Sequence, residues 1–106
     1  MITQIKKGIL EMCVLQSLLA EDKYGYAISS EISKHIDIAE GTVYPILKRL
    51  SKNLYLSTYL KESNIGPPRK YYKLTPLGLK RLKQAKSDWI YLSHEVNRFL
   101  NLDTHT

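Results

Sequence analysis

The spacing of apolar residues changes several times along this chain, and each change marks an element. From about Gln4 to Ala20, eight residues (Ile9, Leu10, Met12, Cys13, Val14, Leu15, Leu18 and Leu19) nearly encircle a helix. A helix apolar on most sides is buried on more than one of them. In a short chain this implies a second surface to cover. Glu21-Asp22-Lys23 breaks the pattern. From about Tyr24 to His35, Ile28, Ile32 and the following Ile36 repeat every four residues, as in an amphipathic helix. A third helix is predicted from about Glu40 to Lys52. Its Val43, Ile46, Leu47 and Leu50 form one stripe at i, i+3, i+4 and i+7. Gly41, Pro45, Lys48 and Lys52 lie opposite, flanked by Thr42, Tyr44 and Arg49. Pro45 falls at about the second turn, where its ring is expected to distort the helix mildly.

The pattern then becomes strand-like. Leu54 to Leu60 and Arg69 to Leu74 are rich in leucine and tyrosine, and the polar loop between them contains Gly66-Pro67-Pro68. This reads as a hairpin with a long tip. Thr75 as cap and Pro76 at the first helical position open a last helix that can run to about Asn101, roughly 39 Å. Within it Leu82, Ala85, Trp89, Leu92, Val96 and Phe99 are spaced 3, 4, 3, 4, 3, a heptad seam. A long helix projecting from a small core cannot cover such a seam alone. Homodimerisation is the simpler expectation; folding back onto its own domain is the alternative.

Composition adds direction. The 106 residues carry a formal charge of +6, and the excess is concentrated. Between residues 42 and 73, Lys48, Arg49, Lys52, Lys61, Arg69, Lys70 and Lys73 face Glu62 alone. A local basic field suggests a polyanionic partner, most often nucleic acid. The longest apolar run, Met12 to Leu15, is far too short to span a membrane. The N-terminus has no signal-peptide pattern, and a single cysteine, Cys13, fits a reducing cytoplasm. His35, His94 and His105 have no ligand-like spacing, and no Ser-base pairing or Gly-rich phosphate loop is present. We therefore expect a non-enzyme without metal or cofactor.

Three short helices, a hairpin and a long helix make a mainly α winged helix-turn-helix (residues 1–74) followed by a dimerisation helix (residues 75–106). In such a fold the third helix enters the major groove and the hairpin reaches neighbouring phosphates or the minor groove. The DNA-contact candidates are Thr42, Tyr44, Lys48, Arg49 and Lys52 on the helix and Arg69 and Lys70 on the wing. A small-molecule-binding module or a protein-interaction adaptor built on a winged helix is the alternative.

Tyr24-Gly25-Tyr26, then Gly41 to Leu50 (GTVYPILKRL), then Gly66 to Thr75 (GPPRKYYKLT) and Gly78 resemble the PadR family of transcriptional regulators, over about residues 5–100. The short arm is similar to the small-protein branch of that family. The resemblance implies a dimeric repressor of palindromic operators, in several members controlling detoxification or multidrug export. It also implies an apolar pocket at the dimer centre in which a tryptophan stacks on planar drugs. Trp89 falls at that position. Ile9, Met12, Cys13, Leu92, Ser93 and Val96 are its expected neighbours, and Asp88 can attract a cationic drug. One departure is Ala39-Glu40, where similar chains often carry Ser-Pro; alanine supplies no capping oxygen.

Overall fold

The computed structural model describes residues 2–102, with side chains described from Gly8 onward. The chain runs α1 (Ile2–Ser17), β1 (Lys23–Tyr24), α2 (Gly25–Ser33), a 3-10 turn (Glu40–Thr42), α3 (Val43–Lys52), β2 (Leu56–Lys61), β3 (Arg69–Leu74) and α4 (Pro76–Phe99). This is a winged helix-turn-helix with a long C-terminal helix, as expected. The overall extents are 53 × 28 × 23 Å, long in one direction.

The apolar stripes meet in one core. Leu10, Val14, Leu15 and Leu18 from the first helical stretch pack with Ile28 and Ile32 of α2 and with Val43, Ile46, Leu47 and Leu50 of α3. Leu56 of β2 and Leu82 of α4 complete the cluster. All four stripe residues of α3 are buried, so its opposite face is free to meet a partner.

Four boundaries differ from the expectation. Helix α1 ends at Ser17 rather than near Ala20. There Lys23 Nζ donates to the Ser17 carbonyl and pairs with Glu31 at 3.5 Å, tying the turn to α2. Tyr24 belongs not to α2 but to a third strand, β1. Lys23 lies opposite Tyr72 and Tyr24 opposite Tyr71, giving the antiparallel order β1-β3-β2. The third helix is two pieces, a 3-10 turn and α3. Pro45 therefore sits in the first turn of α3, where its missing N–H has no intrahelical partner to lose. No distortion is needed. Ala39 caps the 3-10 turn without a side-chain bond; its carbonyl accepts from Thr42 N at 3.1 Å, and Ser29 Oγ donates to the Glu40 carbonyl at 3.2 Å.

The fourth difference is at Leu54, which lies outside the strand at φ 66°. Leu54 N donates to the Ser51 carbonyl (3.1 Å) and Tyr55 N to the Leu50 carbonyl (3.0 Å). These two bonds close α3 as a Schellman motif with leucine at the left-handed position. The start of α4 follows the sequence signal. Thr75 Oγ1 accepts from Gly78 N at 3.0 Å and donates to the Leu54 carbonyl at 2.7 Å, with Pro76 at the first position. A Cβ on Gly78 would stand 2.0 Å from the Tyr55 carbonyl oxygen, so α4 can approach the α3–β2 turn only with glycine here.

Candidate nucleic-acid interface

Burial of one face of α3 orients the other. Tyr44, Lys48 and Lys52 lie on its exposed side, and Thr42 precedes them, half-buried, where the 3-10 turn meets α3. Tyr44 is 43% exposed. A Cβ on Gly25 would come within 2.7 Å of its ring, so the glycine of Tyr24-Gly25-Tyr26 makes room for the Tyr44 ring against α2. Tyr72 is the second aromatic beside it. Burial, and then the proximity of Tyr44, push the Tyr72 hydroxyl above the usual tyrosine range.

The wing adds cations. Its register runs from Leu56 opposite Leu74 to Lys61 opposite Arg69. Strand alternation puts Lys70, Tyr72 and Leu74 on one sheet face and Arg69, Tyr71 and Lys73 on the other. The first face is the one that joins the core, through Leu56, Tyr72 and Leu74. Lys70 lies over the Tyr72 ring at 5.7 Å, on the face that includes the neighbour of Tyr44. On the outer face Arg69 lies 4.6 Å over Tyr24 and Lys61 lies 4.9 Å over Tyr71. Tyr59 and Tyr71 stack at 5.8 Å, and the Tyr59 hydroxyl donates to Asp22 at 2.7 Å, which raises its pKa. The aromatic rings hold these three wing cations in place without neutralising them. At the tip, Gly66 adopts φ 101°, a conformation that favours glycine.

Arg49 is placed differently from the other α3 cations. Its guanidinium pairs with Glu11 of α1 at 3.3 Å, and the same carboxylate takes Arg81 of α4 at 3.3 Å. Nothing in the local pattern of α3 signals this, because the partner is 38 residues away.

A second feature involves no residue of α3 or the wing. Met12, Cys13, Gln16, Ile32, Ile36, Trp89 and Ile90 line a mainly apolar cleft of about 540 Å³ between α1, α2 and α4, with Glu31, His35 and Lys86 also in its lining. Of the expected pocket residues, Met12, Cys13 and Trp89 meet here; Ile9, Asp88, Leu92, Ser93 and Val96 stand outside the lining. The α2 side of the cleft was not foreseen, although the spacing of Ile32 and Ile36 placed them together. Burial pushes the Cys13 thiol up, away from the reactive thiolate. Asp88 accepts from Gln84 at 2.8 Å. Among the described residues no group of His, Cys, Asp and Glu converges as metal ligands, and His105 lies outside them. Nor is any described helix long and apolar enough to cross a membrane.

The arrangement has known counterparts. A PadR-like transcriptional regulator of Bacillus cereus has a structure similar to this one with a TM-score of 0.81 at 40% sequence identity, covering 92% of this chain and 96% of that one. A PadR family transcriptional regulator of Eggerthella lenta matches with a TM-score of 0.82 at 32% identity, over 98% of this chain and 90% of its own. An uncharacterised Lysinibacillus sphaericus protein is 32% identical over 102 residues, 92% of this chain and 94% of that protein. The sequence pattern of the transcriptional regulator PadR-like family matches residues 14–84, from the last turn of α1 into α4. With one face of α3 exposed beside a cationic wing, and with these relatives, the chain belongs to the PadR-like family, whose members are DNA-binding transcriptional regulators and not enzymes.

Proposed function

We propose that this protein is a homodimeric repressor that lays α3 of each copy into successive major grooves of a palindromic operator. Thr42, Tyr44 and Lys48 meet base edges; Lys52, Arg69 and Lys70 meet phosphates. The observation that carries this reading is the geometry of α3: one face wholly buried, the other presenting Tyr44, Lys48 and Lys52 beside a wing whose cations are stacked on tyrosines. Arg49 is left out of the contact set because Glu11 holds it. Half-sites one turn apart would then lie about 34–36 Å apart. Repression rests on the likeness to the family and follows from occupying an operator next to a promoter. The alternative of an adaptor with no role for DNA has no feature of its own in its favour.

The test is a titration of labelled duplex from the gene's own upstream region at several salt concentrations. Affinity should fall steeply with salt, and Lys52→Ala should lower the log–log slope by about 0.9, the loss of one phosphate neutralised. Salt-independent binding, or a Lys52→Ala protein that behaves as wild type, defeats the reading. A promoter–reporter fusion checks repression.

The cleft favours a second element, an effector. A planar hydrophobic molecule at the dimer centre stacks on Trp89 and weakens or strengthens DNA binding by preferring one arrangement of the two subunits. Its volume, about 540 Å³, is within the usual range of small-molecule sites. Trp89 is the chain's single tryptophan, so its emission reports occupancy directly. Unchanged emission across a panel of planar aromatic compounds would eliminate the effector.

A further inference from the structure

Glu11 occupies an unusual position. It lies on α1, and its side chain is only 22% exposed. One carboxylate oxygen takes Arg49 of α3 and the other takes Arg81 of α4, each at 3.3 Å. The Arg81 guanidinium also lies over the Tyr55 ring at 5.7 Å. Tyr55 in turn donates its N–H to the Leu50 carbonyl of α3 and accepts from Thr75 N, the cap of α4, at 3.2 Å. One carboxylate thus joins the reading helix, the turn that ends it and the base of the long arm.

We propose that Glu11 is a positioning residue that sets the angle between α3 and α4, and through it the half-site spacing the dimer accepts. The inference rests on the dimeric DNA-reading function proposed above. The apolar contacts that seat α4, at Gly78 and Leu82, are not directional, whereas charge-assisted bonds to a carboxylate are. The arm amplifies small changes. Helix α4 has 24 residues, about 36 Å, so a rotation of about 5° at its base moves its far end by roughly 3 Å, close to one base-pair rise. Releasing the carboxylate therefore loosens the register between two reading helices without removing any DNA contact.

The experiment is selection of bound duplexes from a random-sequence pool by wild type, Glu11→Gln and Arg81→Gln. Wild type should enrich paired half-sites at one dominant spacing. Both variants should spread to neighbouring spacings, with the preference for the wild-type spacing reduced about fivefold, the scale of a partly exposed ion-pair cluster. For Arg81→Gln, which leaves Arg49 held by Glu11, the salt slope on a single half-site should not move. Arg81→Gln leaves the Glu11–Arg49 pair intact and serves if Glu11→Gln folds poorly. A spacing distribution unchanged in a folded variant overturns the proposal, even if its melting temperature falls, because that would be a structural role alone. A wild-type protein that enriches no duplex, or single half-sites only, overturns the dimeric reading itself and is recognised without the variants.

Discussion

Leu54 is a leucine in a position shaped for glycine. Left-handed backbone costs a non-glycine residue roughly 1–2 kcal/mol, and Leu54, at φ 66° and 68% exposed, recovers little of it by burial. Leu54→Gly should therefore raise stability by about 1 kcal/mol and the melting temperature by several degrees. Thermal denaturation followed by circular dichroism checks this, and a fall would mean that the leucine makes contacts worth more than the backbone strain. Asn101, at φ 59°, closes α4 in the same way with a residue better suited to it. Tyr72 carries a pH prediction. Its pKa is raised in the folded protein by burial, so folding retains the neutral phenol. That contribution is complete below the ordinary tyrosine range, about pH 10, and is lost as pH rises through the raised value. Urea unfolding between pH 8 and 11.5 should show a steeper decline for wild type than for Tyr72→Phe. Some slope should persist in the variant, because the Tyr59 bond to Asp22 also requires a neutral phenol.

At the scale of elements, what could be read from the sequence was whatever depended on nearby residues. The α3 stripe, the hairpin with its Gly66 tip and the Thr75-Pro76 start of α4 each rest on spacing or chemistry within a few positions. Helix α4 gives the cleanest test. Thr75→Ala removes an oxygen that both accepts from Gly78 N and donates to the Leu54 carbonyl. It should cost about 1–2 kcal/mol, read as a drop in the urea midpoint with an unchanged slope. The features that escaped are non-local or too short for a pattern. Strand β1 is two residues long and exists only because β3 pairs with it. The charge pattern could place Arg49 on α3 but not reveal Glu11, which the fold brings to it from α1. Trp89 was readable as a seam residue, while the cleft beside it needed α2 and the turn after it, which contribute Ile32 and Ile36 from the other side.

For the whole molecule, the question is what covers the outer half of α4. Leu82, the first seam residue, is buried in the subunit's own core, so the helix does fold onto its domain at its base. Beyond it Trp89, Leu92, Val96 and Phe99 are exposed, together with Ile90, Tyr91, Leu100 and Leu102. Contiguous apolar surface of this kind marks an association site, and a two-fold pairing of identical arms covers the same stripe on both copies at once. Phe99 separates the subunit fold from the assembly. It is 87% exposed within one subunit, so Phe99→Glu should leave the melting of a single subunit nearly unchanged. On a paired seam the same substitution brings two carboxylates into an apolar contact, and the dimer should dissociate. Sedimentation equilibrium at micromolar concentration is expected to give the dimer mass for wild type and the monomer mass for Phe99→Glu. Binding to a palindromic duplex should weaken by about 10²- to 10⁴-fold, since each half-site then loses the effective concentration supplied by its neighbour, while binding to a single half-site is retained. A Phe99→Glu protein that keeps the wild-type mass would place the interface elsewhere. A wild type that is itself monomeric would leave the apolar arm without a second copy and remove the physical basis for reading a palindrome.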